Sequence, residues 1–274
     1  MKLSIIVPVG DKDQWSVCEA AIRASIEAYR GEVEAEVLAC FDLEHRGAFT
    51  ARNEGLARAT GDWIAWVDCD DLVKSDWFSR IAAEIERGGF DVLAFGIEQE
   101  CAGVITTIYA PKAREMEGAD YARWMLGGKG MPHWLWHRVF RRELFEGVQF
   151  AGRVLEDYQG SFQFLPRVKR VRFIPDVLYR YVRHGKGLSH YNQNMDYDAA
   201  CRGYLGLADK LPVEWREEAR MGVGLMMTDV ILHAPGVRGL NKYVRPYFWR
   251  ILFGGGMSVR FKVKSLIACA IFWR

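Results

Sequence analysis

The stretch GDWIAWVDCDDLVKSDWF, residues 61–78, sets an apolar run, Ile64 to Val67, directly before three aspartates, Asp68, Asp70 and Asp71. A run this short, bounded by Gly61 and by acidic residues, predicts an interior strand whose end carries the aspartates to the surface. Clustered carboxylates repel one another, and a cation offsets that repulsion. Cys69, between them, is expected to point to the opposite face and into the core. Two readings fit the aspartates: ligands of a divalent cation, or caps of the following helix, for which Ser75 is the better placed residue.

Upstream, Leu3 to Val9 is a β-branched-rich run ended by Pro8 and Gly10, and Cys18, Ile22, Ile26 and Tyr29 then recur at helical spacing. EVLAC (36–40) leads to Asp42, and GAFTARNEGLARATG reads as a helix with Gly61 just past its end. This alternation predicts a parallel α/β sheet, in which ligands bind beyond the carboxyl ends of the strands, where Asp68, Asp70 and Asp71 fall. Downstream, a helix from Ser75 to Arg87 stops at Gly88 and Gly89, and DVLAFGI follows as a strand. Past residue 100 the pattern gives a strand over 104–109, a helix over 119–126, RVRFIPDVLYRYV as two strands split by Pro175, and two helices around Pro212.

With 274 residues, 50% hydrophobic and 26% charged, the chain has material for one large core. The net charge of +2 hides an asymmetry: no Asp or Glu follows Asp229, whereas Arg238, Lys242, Arg245, Arg250, Arg260, Lys262, Lys264 and Arg274 do. The six cysteines lack zinc-ligand spacing, which points to a reducing compartment and a cytoplasmic location. MKLSIIVPVG is too brief an apolar run for a signal peptide or a membrane span. No nucleic-acid partner is expected.

Hard carboxylate oxygens suit Mg2+ or Mn2+, which bind through one or two carboxylates plus the oxygens of a substrate phosphate. The natural load is a metal bound to a diphosphate. Phosphatases of the haloacid dehalogenase type also use a D-x-D, but on their first strand, whereas here it follows a later one.

SIIVPV at the start, ARNEGLARATGDWIAWVDCDD in the middle and LEDYQGSFQFL later resemble the bacterial family 2 glycosyltransferases of A-type fold, over about residues 3–190. The resemblance implies a Rossmann-like α/β nucleotide-diphospho-sugar transferase fold with a mixed central sheet. Its donor half would be residues 1–100 and its acceptor half 101–190, followed by a helical extension (191–236) and a basic aromatic tail (237–274). It also implies transfer of a sugar from a nucleotide diphosphate donor, UDP-linked by expectation, with inversion at the anomeric carbon. The family's metal-binding D-x-D maps onto Asp68 and Asp70, with Asp71 as a neighbour, and its acidic pair onto Glu156 and Asp157, with Asp157 as the base. Trp136 and Arg138 take the places of an aromatic and a basic residue that precede a helix. Pro8, Asp42, Arg52, Asp68, Arg138, Arg183 and His184 are the expected donor-binding residues.

Several roles keep an alternative. Asp157 is a base or a solvated first-turn carboxylate; Arg52 contacts the diphosphate or forms a surface ion pair. Arg183, His184, Lys186, Ser189 and His190 close over the donor or form a hairpin tip. The sequence departs from the family in two places. Asp42 stands alone where a pair of aspartates is usual, and only nine residues separate it from Arg52, so the sheet is expected to be one helix and strand short. The Q-x-x-R-W motif of processive synthases is absent, which favours one sugar per encounter with a cell-surface glycan or lipid-linked acceptor. A catalytically silent nucleotide-sugar binder on the same fold is the alternative function. The tail, basic and aromatic, is expected either to lie on an anionic membrane surface or to complete a core or dimer contact.

Overall fold

The computed structural model describes residues 1–42, 44, 46–127, 133–152, 155–183, 195–234 and 237–253. In chain order they form β1 (Lys2–Val9), α1 (Lys12–Glu27), β2 (Glu34–Phe41), α2 (Ala48–Arg58), β3 (Trp63–Trp66), β4 (Leu72–Val73), α3 (Trp77–Arg87), β5 (Val92–Cys101), β6 (Val104–Tyr109), β7 (Arg114–Glu117) and α4 (Gly118–Leu126). There follow β8 (Arg138–Arg141), α5 (Glu156–Phe164), β9 (Arg170–Val182), α6 (Tyr197–Ala208), α7 (Val213–His233), α8 (Asn241–Val244) and α9 (Phe248–Phe253).

One mixed sheet runs β2-β1-β3-β8-β5-β9-β4, with β6 added to β5 and β7 to β9. Its first three strands are parallel, and the direction reverses at β8, which is antiparallel to both β3 and β5. The parallel expectation therefore holds for β2-β1-β3 and again for β5-β9, with the antiparallel β8 between them. β2 is the edge of the sheet on that side, and α2 begins at Ala48, so no further helix and strand intervene, as the short Asp42–Arg52 spacing requires.

Both faces of the sheet are covered, which is why β1 and β3 read as nearly unbroken apolar runs. Leu3, Ile5, Val7, Trp63, Ala65 and Val67 pack with Trp15, Cys18 and Ile22 of α1 and Trp77, Phe78 and Ile81 of α3. Ile6, Ile64 and Trp66 point the other way, into a core shared with α2, α4, α5, α6 and α7. The helices after residue 195 are thus part of this second core; Val244, Phe248 and Ile251 are buried in it too.

Three local expectations are corrected. The helix after the aspartates starts at Trp77 with Asp76 at its N-cap and no side-chain cap bond, so Ser75 does not cap it; β4 intervenes, pairing Leu72 and Val73 with Arg180 and Tyr179. Arg138 opens β8, and only a short 3-10 turn, Arg142–Phe145, follows in place of a regular helix. β9 crosses Pro175 unbroken. Its register against β5 jumps from Ala94↔Phe173 to Gly96↔Val177, and on its other edge β7 ends opposite Phe173 while β4 begins opposite Tyr179. Pro175 therefore lies in a bulge where no partner needs its missing N–H. Gly96 makes the bulge possible: a Cβ there would lie 2.9 Å from the Tyr109 carbonyl oxygen and 3.0 Å from that of Asp176.

Candidate active site

The site lies at the carboxyl ends of β1, β2 and β3. Pro8 is buried in β1 opposite Cys40, just past the last β1–β3 pair, Ile6↔Trp66, where a ladder donor is no longer required. Asp42 follows β2 and is largely buried; its Oδ1 accepts from the Arg46 N–H (2.9 Å) and its Oδ2 from the Gly47 N–H (2.6 Å). Both oxygens thus shape the turn that enters α2.

From α2, Arg52 reaches inward with 4% of its side chain exposed. The helix can sit this low because Gly55 faces β1: a Cβ there would come within 2.2 Å of Ile6 Cγ2. Arg52 Nη2 donates to Asp68 Oδ1 at 3.3 Å, Nη1 donates to Glu156 Oε1, and Asp157 Oδ1 lies 3.4 Å from Nη1. One guanidinium thereby joins the aspartate cluster after β3 to the acidic pair at the start of α5. The ion pair expected of Arg52 is present but interior, not at the surface: its partners are three partly buried carboxylates. Next to it, Asn53 donates to the Phe150 carbonyl (2.8 Å) and accepts from the Phe150 N–H (2.9 Å), binding α2 to the segment before α5 as a strand partner would.

The three aspartates of the opening stretch separate. Asp71 is 1% exposed and accepts from Tyr179 Oη (2.9 Å) and from the Val182 N–H (2.8 Å). Tyr179 Oη in turn accepts from the Asp68 N–H at 3.1 Å, so β9 fixes the whole loop. Asp68 and Asp70 keep part of their side chains exposed, and Cys69 is in the core on the α1 side. Burial, opposed by Arg52 and reinforced by Asp70 and Glu156, pushes Asp68 up to about 6. Among the described residues no group of three or more His, Cys, Asp or Glu side chains converges as a metal cluster. Asp68 and Asp70 could hold a divalent cation of the kind that takes its remaining ligands from water and diphosphate oxygens, as Mg2+ commonly does.

Glu156 and Asp157 occupy the first turn of α5, behind Leu155, whose φ of 51° and ψ of 45° put a non-glycine residue in the left-handed region. That conformation costs on the order of 1–3 kcal/mol and aims both carboxylates at Arg52. Burial pushes Asp157 up to about 7, with Arg52 pulling down and Glu156 and Asp68 pushing up. Its Oδ1 is buried without a hydrogen-bond partner, while its carboxylate accepts from the Leu135 N–H.

That N–H belongs to the peptide joining Trp134 to Leu135, and the carbonyl of the same peptide, on Trp134, accepts from Arg138 Nη1. Arg138 is 2% exposed and also reaches Met125 Sδ at 3.4 Å, and burial lowers its pKa. It is an interior residue that holds the peptide acting on Asp157. Trp136 is buried and stacks on Tyr179 (4.5 Å, 19°). Arg183 is exposed at the end of the described β9 segment, its N–H donating to the Glu100 carbonyl at 2.8 Å. His184, with Lys186, Ser189 and His190, lies outside the described residues. Sequence reasoning missed Asn53, Tyr179, Leu135 and Trp134, although Asn53 lies inside ARN, Trp134 and Leu135 stand just before Trp136, and Tyr179 lies in RVRFIPDVLYRYV.

Residues 23–148 match the family model described as glycosyl transferase family 2. They form a family 2 glycosyltransferase domain. Similar proteins include the uncharacterized glycosyltransferase YibD of Escherichia coli, 27% identical over 178 residues (60% of this chain, 52% of that one), and the uncharacterized glycosyltransferase EpsJ of Bacillus subtilis, 28% identical over 162 residues (55% and 46%). The chain spans about half the length of these relatives. The chain superposes on the S. aureus TarS 1–349 crystal structure in complex with UDP-GlcNAc with a TM-score of 0.65 at 15% identity, covering 99% of this chain and 80% of that one, a likeness of fold. The architecture is that of the A-type nucleotide-sugar transferases.

Proposed function

We propose that the chain is a metal-dependent, inverting, non-processive glycosyltransferase that moves a sugar from a UDP-linked donor to a hydroxyl of a cell-surface glycan or lipid-linked acceptor. The observation that carries this reading is the Arg52 junction, which sets Asp68, at the donor end of the parallel strands, and Asp157, at the start of α5, around one guanidinium. Displacement at an anomeric carbon needs a base for the incoming hydroxyl and charge compensation for the departing diphosphate. Asp157 supplies the first: its raised pKa suits proton transfer near neutrality. Asp68 and Asp70 would hold Mg2+ or Mn2+, which, when bound, supplies Lewis-acid stabilisation of the leaving diphosphate. The acceptor oxygen bonds to the anomeric carbon, the bond from that carbon to the diphosphate oxygen breaks with its electron pair leaving on UDP, and the hydroxyl proton passes to Asp157. Arg52 keeps the two ends in register and moderates the negative charge of the cluster.

The test is to incubate the chain with a panel of UDP-sugars, Mn2+ and saccharide acceptors, and to follow UDP release and product anomeric configuration by NMR. Transfer with inversion supports the reading; UDP binding without release of any sugar would identify a silent binder. Asp70→Asn is expected to remove the dependence of UDP binding on Mn2+ while leaving the fold intact, and unchanged Mn2+ dependence would sink the metal assignment.

A peripheral membrane location follows the same logic. Trp249 and Phe253 of α9 are 65% and 74% exposed and stacked at 5.7 Å, and the basic segment from 254 follows them. Among the described residues no helix is long and apolar enough to cross a membrane. Aromatic rings favour the headgroup region, and each Lys or Arg near an anionic surface contributes about 1 kcal/mol. The full chain is expected to sediment with anionic but not neutral vesicles at low salt, and less so after Trp249→Ala with Phe253→Ala. A chain that stays in the supernatant with anionic vesicles is not held this way.

A further inference from the structure

Trp134 combines three features. Its indole is 37% exposed, although Trp136, two residues on, is 4% exposed. It lies on that buried neighbour almost face to face (4.9 Å between centroids, 16°), and Tyr181 of β9 stacks on both rings, 6.2 Å from Trp134 and 5.8 Å from Trp136. Its backbone is pinned: the peptide after it accepts from the Arg138 guanidinium through the carbonyl and donates to the Asp157 carboxylate through the Leu135 N–H.

Each feature has a consequence. A flat aromatic surface left in water forfeits its burial energy unless something covers it, and Trp134 is held in one plane by a stack whose other layers, Trp136 and Tyr179, are core. The Leu135 N–H that acts on the Asp157 carboxylate belongs to the peptide that follows Trp134, which sets Trp134 beside that carboxylate. The plane is therefore both rigid and beside the group that must receive a hydroxyl proton. A pyranose ring has an apolar face of axial C–H bonds and a rim of hydroxyls, so a ring resting on an indole with its rim toward a carboxylate satisfies both groups. Among the described residues the other strongly exposed tryptophan, Trp249, sits on α9 beside Phe253, in the helical layer.

We propose that the exposed face of Trp134 is the acceptor platform: the terminal pyranose of the acceptor stacks on this indole and presents a hydroxyl to Asp157. This rests on the transferase reading above and adds to it the class of group that the acceptor must offer, a pyranose ring with one unsubstituted apolar face. Arg138 is then a positioning residue, holding the peptide that sets both the platform and the base.

The experiment uses the full chain with UDP and Mn2+ present and four methyl pyranosides as probes, of gluco, galacto, manno and N-acetylgluco configuration. Saturation-transfer NMR reports which sugar protons touch the protein, and isothermal titration reports UDP binding. The expected result is saturation of ring C–H protons in at least one probe, binding about tenfold weaker in Trp134→Leu, which keeps apolar bulk but loses the flat ring, and recovery to within about threefold in Trp134→Tyr, with UDP binding equal in all three. Undiminished saccharide binding in Trp134→Leu, or a wild type that binds UDP but none of the four pyranosides, overturns the platform. A wild type that binds pyranosides through Trp134 but no UDP leaves the platform standing and removes the transferase reading; binding of neither removes both.

Discussion

The loop after β3 and the first turn of α5 each take an aspartate out of water, and they treat it in opposite ways. Asp71 is the more deeply buried, yet each of its oxygens accepts a good hydrogen bond, from Tyr179 and from the Val182 N–H. Asp157 keeps one buried oxygen without such a bond, 3.4 Å from Arg52, behind a strained Leu155. Burial raises the pKa of both. What separates them is satisfaction: a carboxylate whose lone pairs are spent on the fold is a brace, whereas one left short can exchange a proton with a ligand.

Removing the shared guanidinium should disturb this contrast most. Arg52→Ala leaves Asp68, Glu156 and Asp157 facing one another without their cation, and a broken buried charge pair costs about 3–5 kcal/mol. Denaturant unfolding should show a loss of that order at pH 8. The loss should shrink at pH 5, below the values of about 6 for Asp68 and about 7 for Asp157, where both carboxyls are protonated and no longer repel. An equal loss at both pH values would mean that Arg52 contributes packing and not charge.

Next in size, Asp157→Asn should slow transfer by about 100-fold or more, equivalent to about 2.7 kcal/mol, with UDP binding unchanged. In the wild type, kcat/KM should rise with pH through about 7 as Asp157 gives up its proton, and the variant should lose that limb. Equal losses of UDP binding and turnover would make Asp157 a brace like Asp71.

The smallest effect belongs to the satisfied member. Tyr179→Phe removes the donor to Asp71 and the acceptor for the Asp68 N–H, at about 1–3 kcal/mol of stability. The pH limb of the rate should stay where it is. A limb displaced by this substitution would show that the two regions are coupled and not merely adjacent.

The sequence made the donor end legible because it is local: an apolar run, then carboxylates, at the end of a strand whose neighbours alternate with helices. Asp68 and Asp157 could both be named from motifs. Their relation could not, because Arg52 and Glu156 stand 104 residues apart and nothing in either motif says that they touch. Nor could Asp71 be told from its neighbours, since its distinction is a tyrosine on β9. The break expected at Pro175 was a sound local inference, overruled because the adjacent edge of β9 is unpaired there. Trp134 and Trp136 differ in exposure by their place in a stack, which a linear pattern of aromatics does not encode.

The completion of the aspartate loop by β9 also has a consequence for biosynthesis. Asp71 waits for a donor 111 residues further along the chain, at Val182. At about 5–20 residues per second, the ribosome needs roughly ten seconds to supply that strand after the loop has been made. During that interval a nascent chain has its parallel strands but no partner for the carboxylate it must bury. The aspartate loop thus cannot reach its folded shape until β9 has been made, and a chain released before residue 182 lacks what would hold it.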